Sequence, residues 1–176
     1  AKVAIKGRSS KGNLVSKYPI KKIEIKEKGI STLLPRKIWF DDTVQRLNVE
    51  ARGELLGEFR PNDKILIVSQ SGKLKVVIPE LSTHFDEDMI VLEKWIPKKP
   101  ISAIYYDGEK ERYYIKRFLV ETENKEESFI TEHPKSQLEI VSTDYRPVAE
   151  LVFTKVKGVQ KDNMNVEIES FIAVKG

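Results

Sequence analysis

The sequence predicts an all-β protein built from a diverged repeat of short strands. Ile and Val together supply 34 of the 176 residues, and β-branched side chains favour pleated surfaces. No long window keeps a helical period, while short apolar runs are punctuated by glycine and proline, the grammar of many strands joined by turns. The chain also repeats itself. In residues 9–20, Gly12 marks a tight turn, Leu14-Val15-Ser16-Lys17-Tyr18 reads as a strand, and Pro19 ends it, because proline cannot donate to a ladder. In residues 65–81 the same grammar returns as Ile65-Leu66-Ile67-Val68, the turn Ser69-Gln70-Ser71-Gly72, Lys73-Leu74-Lys75-Val76-Val77-Ile78, and Pro79. Proline follows glycine by seven positions in both copies, and Ile172-Ala173-Val174-Lys175-Gly176 echoes Val3-Ala4-Ile5-Lys6-Gly7.

Taken in order, residues 3–6 and 14–18 form a first predicted hairpin. Residues 19–25 alternate Ile20, Ile23 and Ile25 with charged neighbours, as a half-buried strand would. A basic turn covers 26–29, and a short strand at 30–34 stops at Pro35. Strands follow at 37–40, 43–49 and 54–59, with turns at Asp41-Asp42 and Arg52-Gly53, and with Trp39 and Phe40 in a core. Arg60-Pro61-Asn62-Asp63 is a strong turn signal. Beyond it the predicted strands are 65–68, 73–78, 89–94, 101–106, 112–120, 129–131, 138–142, 150–156 and 166–174. Asp107-Gly108 is a hairpin turn, 121–128 an acidic loop, and Trp95 a second core anchor. Repeat starts near Val3, Ile65, Tyr113 and Ile172 give intervals of 62, 48 and 59 residues. Such a period suggests blades of about four strands, with approximate boundaries 1–60, 61–110, 111–160 and a closing strand at 164–176.

The chain has no cysteine, which excludes a disulfide framework and a thiolate metal site. No run approaches the roughly 18 apolar residues of a membrane span, and no signal-peptide core is present. A cytoplasmic location and no membrane partner are expected, and the chain reads as a fragment of a longer protein. Charge is unevenly distributed. Residues 1–40 hold eleven basic residues against two acidic ones, a net of +9, whereas the remainder holds 20 against 25, a net of −5. A polyanion touching the N-terminal part accounts for that split, and a solvated lysine-rich face is the plainer alternative.

Catalytic chemistry is thinly provided. The two histidines, His84 and His133, are far apart in sequence. His84-Phe85-Asp86-Glu87-Asp88 has oxygens for a hard cation but reads better as a solvated acidic loop. No phosphate loop, nucleophile elbow or zinc-protease motif occurs, so no cofactor is expected. The remaining signal is electrostatic. Arg8, Lys11 and Lys17 flank the first hairpin, Lys21, Lys22, Lys26 and Lys28 continue beyond it, and Lys73 and Lys75 hold the comparable place in the second copy. Smaller clusters are Lys98-Lys99 and Lys116-Arg117. Cations on successive units suit a phosphate backbone, which gives affinity without sequence readout. The acidic last third, after Glu121, is expected to lie off that path.

Three stretches carry a resemblance: 3–20, 63–81 and 101–120. Lys6-Gly7-Arg8-Ser9-Ser10-Lys11-Gly12-Asn13-Leu14-Val15, and the pair Gly12-Asn13-Leu14 and Gly72-Lys73-Leu74, resemble the C-terminal DNA-wrapping domain of the A subunit of bacterial type IIA topoisomerases, in wording closest to topoisomerase IV of the Bacteroides group. That resemblance implies a propeller-like β-pinwheel of about three to four four-stranded blades, whose basic outer rim bends duplex DNA. It implies double-stranded DNA, the rest of the A subunit and the ATPase (B) subunit as partners. The nucleophilic tyrosine would belong to a separate cleavage domain and ATP hydrolysis to the B subunit, so no catalytic residue is expected here. Gyrase carries the box Gln-Arg-Arg-Gly-Gly-Lys-Gly, whereas Glu24-Ile25-Lys26-Glu27-Lys28-Gly29 keeps only the final Lys-Gly. The departure favours topoisomerase IV over gyrase. Two alternatives stay open beside gyrase: a propeller-like module binding an acidic peptide, and an enzyme with a site around His84 and Asp86–Asp88.

Overall fold

A computed structural model of the chain describes residues 8–9, 11, 14–26, 34–121, 123–158 and 161–170. Two compact units divide it, Ala1–Ser31 and Thr32–Gly176. In the first unit, the described residues 14–26 form no strand, and Leu14, Val15, Tyr18, Ile23 and Ile25 are exposed. The strands predicted at 14–18 and 19–25 are therefore not formed: with Ile20, Ile23 and Ile25 all exposed, the alternation buries no face that would hold a strand. The partner segment 3–6, Gly12 and most of 30–34 lie outside the described residues.

The second unit is all-β. Its strands are β1 (Arg36–Asp41), β2 (Arg46–Asn48), β3 (Glu54–Phe59), β4 (Ile65–Ser69), β5 (Lys73–Val77), β6 (Met89–Lys94), β7 (Ile101–Asp107), β8 (Arg112–Phe118), β9 (Glu127–Ser128), β10 (Gln137–Ser142), β11 (Val148–Leu151) and β12 (Met164–Glu167), followed by a 3-10 turn at Ile168–Ser170. They make four antiparallel sheets, ordered β2-β1-β3, β6-β4-β5-β9, β10-β7-β8 and β11-β12. Among the described residues only the second sheet has four strands, and none of the sheets closes on itself.

Strand alternation decides how the sheets stack. Leu66, Val68, Leu74 and Val76 on one face of the second sheet pack with Ile101, Ala103, Phe118 and Leu138 of the third. On the opposite face Ile65, Ile67 and Val77 meet Ile38, Leu47 and Phe59 of the first. Strand β4 is thus buried on both sides, which is why Ile65-Leu66-Ile67-Val68 is apolar throughout rather than alternating. The far face of the third sheet puts Ile104 and Ile115 against Ala149 and Ile168. Trp39 is only half-buried, because Ile38 and Phe40 take the core face. Trp95 does pack against the larger core.

One rule of connection recurs. Strands β1, β4 and β7 each form a hairpin with the next strand, and β3, β6 and β10 pair with their other edge. The segment that follows each second strand is lent backwards. His84 bridges Arg46 of β2, and the Phe85 N–H donates to the Gln45 carbonyl at 2.9 Å. Strand β9 pairs with Lys73 and Leu74 of β5, and Ile168–Ser170 packs against β8. Lending covers sheet edges that would otherwise be open. Among the described residues the three hairpins that follow this rule begin at Arg36, Ile65 and Ile101, and the two-stranded sheet begins at Val148. Tyr113 belongs to a second strand, opposite Tyr106, and the β7–β8 hairpin straddles residue 110. Strand β9 falls two residues before the expected 129–131, and strand β12 ends at Glu167.

Gly72 ends the β4–β5 turn with φ +76, its N–H donating to the Ser69 carbonyl at 3.0 Å. A Cβ there would lie 2.5 Å from the Ile130 side chain. Both the left-handed backbone and the close packing explain the glycine.

Candidate nucleic-acid interface

Arg8, Lys11, Lys17, Lys21, Lys22 and Lys26 lie in the first unit, and all are exposed. Lys22 pairs with Glu24 at 2.5 Å across two exposed side chains, an arrangement that contributes little to stability and leaves the ammonium reachable. Lys28 lies outside the described residues.

Lys73 and Lys75 lie in the second unit, on the face of β5 opposite the buried Leu74 and Val76. Lys73 is not solitary. Its Nζ meets Glu126 Oε1 at 2.9 Å. That contact, a hydrogen bond first and a Coulomb attraction second, holds the lysine above and the carboxyl below their usual ranges. Glu126, from the acidic stretch expected to lie off the DNA path, thus sits on one of the candidate lysines. A cavity of about 150 Å³ opens beside the pair, lined in part by Lys75, His84, Asp86 and Asp88. His84 and its acidic neighbours thus meet the lysines, but as the segment lent to β2. Phe85 is buried there, edge-on to Phe40 with ring centroids 5.8 Å apart.

In the smaller clusters Lys98 is exposed, whereas Lys99, Lys116 and Arg117 turn inward. Lys99 binds Glu93 at 3.0 Å and the Thr143 hydroxyl at 3.2 Å. Lys116 is half-buried, with Nζ 5.2–5.7 Å from the ring centroids of Tyr105, Phe118 and Phe129, and burial pushes its pKa down. The Arg117 Nε is buried without a hydrogen-bond partner among the described residues. Neither Lys116 nor Lys99 offers a free ammonium to a rim.

Two further cations stand where Lys73 stands. Arg46 and Arg112 each open the second strand of a hairpin, directly after a left-handed residue: Gln45 (φ 51) and Glu111 (φ 52), as Gly72 precedes Lys73. Both arginines are exposed, and each sits opposite an aspartate that closes the first strand, Asp41 and Asp107. Those carboxylates are committed to their own turns. Asp41 accepts from the Thr43 hydroxyl and N–H, and Asp107 from the Lys110 and Glu109 N–H groups and the Thr131 hydroxyl. The Thr43 hydroxyl is the main cause of the low pKa of Asp41, and the Lys110 N–H that of Asp107. A basic residue after each turn was the available signal for Arg46 and Arg112, but Gln and Glu in place of Gly concealed it.

Residues 46–176 match the family described as "Topoisomerase C-terminal domain, Bacteroidota". The chain belongs to that family. The matched span covers most of the second unit and leaves out the basic first unit, although the most resemblant wording, Lys6 to Val15, lies there. No curated protein and no solved structure matches the chain. In this topoisomerase C-terminal domain no helix among the described residues is long and apolar enough to cross a membrane, and no group of three or more metal-ligating side chains occurs among them.

Proposed function

We propose that this topoisomerase C-terminal domain grips and bends duplex DNA for the A subunit of a type IIA enzyme, of the topoisomerase IV kind. The family match over residues 46–176 carries the reading. The net +9 of residues 1–40 supports it, since neutralised phosphates release counterions and give affinity without sequence readout. Four sheets stacked in series, each repeat lending a segment to the one before, suit a propeller-like β-pinwheel over residues 1–176.

Backbone contacts are assigned to Arg8, Lys11, Lys17, Lys21, Lys22, Lys26, Lys28, Lys73 and Lys75. The partners are duplex DNA, the rest of the A subunit and the ATPase subunit, in the cytoplasm and without a cofactor in this region. A gyrase A subunit is the alternative, disfavoured by the missing arginine pair between Glu24 and Gly29.

The test is binding to duplexes of increasing length at several salt concentrations. Affinity that rises with length and falls steeply with salt is expected. Saturable binding to an acidic peptide with no preference for long duplexes would replace this reading by that of a protein-interaction module.

A further inference from the structure

On the second sheet two lysines and one carboxylate of the same chain lie together. Lys73 and Lys75 project from the same face of β5, two residues apart. The carboxylate is that of Glu126, 2.9 Å from the Lys73 Nζ. Glu126 also responds to Lys75, so its carboxyl sits in the field of both cations.

Its position is built by the backbone. The Asn124 N–H donates to the Val76 carbonyl at 2.8 Å, and Asn124 adopts φ 59. Immediately after Glu126, β9 pairs with Lys73 and Leu74, and the Phe129 N–H donates to the Gly72 carbonyl at 2.9 Å. Upstream, Glu123 pairs with Lys64. Residues 123–129 therefore form a strap anchored on both sides of Glu126, along the edge of β5.

We infer that Glu126 occupies a phosphate site made by Lys73 and Lys75, so that the strap gates the access of a polyanion to the second sheet. The inference rests on the DNA-gripping reading above. A carboxylate and a phosphate oxygen accept the same charge-assisted hydrogen bond from an ammonium. Both partners of the pair are about half exposed, at 49% and 55%, and an exposed pair is weak enough for an array of phosphates to displace. Asp88 and Glu132 add to the negative field at Lys73. A single free phosphate is therefore a poor competitor, and a duplex already held elsewhere on the chain is a good one.

The experiment measures binding of a fluorescent duplex to wild type, Glu126→Gln, Lys73→Gln and the double variant across a salt series. Glu126→Gln is expected to tighten binding about three- to tenfold at low salt and to steepen the salt slope by roughly one ion, the effect of neutralising one more phosphate. In the Lys73→Gln background, where only Lys75 remains to be freed, Glu126→Gln is expected to tighten binding clearly less than it does in wild type. Glu139→Gln, an equal charge change on an exposed residue of β10, is expected to leave the slope unchanged. Glu126→Ala serves as a second variant with the same expectation, and far-ultraviolet circular dichroism confirms the fold of each. If wild type binds and Glu126→Gln leaves the slope unchanged, or tightens binding equally without Lys73, the gate is overturned and DNA gripping stands. If neither wild type nor any variant binds duplex at low salt, the functional reading itself falls.

Discussion

Replacing Lys11, Lys21 and Lys22 together by glutamine is expected to weaken duplex binding on the order of a hundredfold or more at moderate salt. The salt slope is expected to fall by roughly three ions, about 0.9 for each phosphate that is no longer neutralised. All three side chains are exposed in the first unit, where basic residues far outnumber acidic ones. The contrasting set is Lys155, Lys157 and Lys161. They lie within the predominantly acidic remainder of the chain, and Lys161 rests 4.2 Å above the Phe153 ring. Their replacement is expected to change affinity less than about threefold, since surface charges off the path add only a screened long-range attraction. Equal losses from the two sets in a fluorescence anisotropy titration would contradict the assigned path.

Phe118→Ala is expected to produce the largest loss of stability, about 3–5 kcal/mol, the usual cost of emptying a large aromatic site in a core. The ring is 4% exposed and lies 5.5 Å from that of Phe129, centroid to centroid. It belongs to the cluster that joins the second sheet to the third. It also forms part of the aromatic floor beneath the Lys116 ammonium, 5.2 Å away. A loss of that size is a large fraction of the stability of an ordinary domain, about 5–15 kcal/mol. Urea unfolding reads it as a lower midpoint. Ile90→Ala, at a position 43% exposed, is expected to cost under about 1 kcal/mol. A similar small cost for Phe118→Ala would mean that the two sheets do not depend on this cluster.

Much of the fold is legible where turn chemistry is local. Strand β3 begins after Gly53 and ends before the turn that starts at Arg60, and both signals are written within a few residues. Strand β6 and the β7–β8 hairpin are likewise bounded by their own turns. The repeat register is not legible in the same way. Its marker is a left-handed residue before β2, β5 and β8, and only Gly72 announces it, while Gln45 and Glu111 adopt the same backbone without a glycine. Lent segments are harder still. Strand β9 is two residues long and acidic, and its pairing with β5 is set by residues more than fifty positions away.

Charge excess in the first unit is visible from composition, but the pairing state of each cation is not. Lys73 finds Glu126 across 53 residues of sequence, a pairing without a local signature. The inward turn of Lys116 was within reach. Its two-residue spacing from Tyr114 and Phe118 places it on their face of β8. Arg46 and Arg112 were concealed with the repeat register, since their likeness in position to Lys73 lies in the strand connections.

Ligase-catalysed circularisation of a short linear duplex tests most directly whether the chain holds duplex DNA in a bent path. A duplex of roughly 150 bp, about one persistence length, resists closure because bending it costs elastic energy. Saturating protein at low salt is expected to accelerate circularisation severalfold, and the acceleration is expected to disappear with Lys11, Lys21 and Lys22 replaced. A circularisation rate unchanged by bound protein would contradict the account.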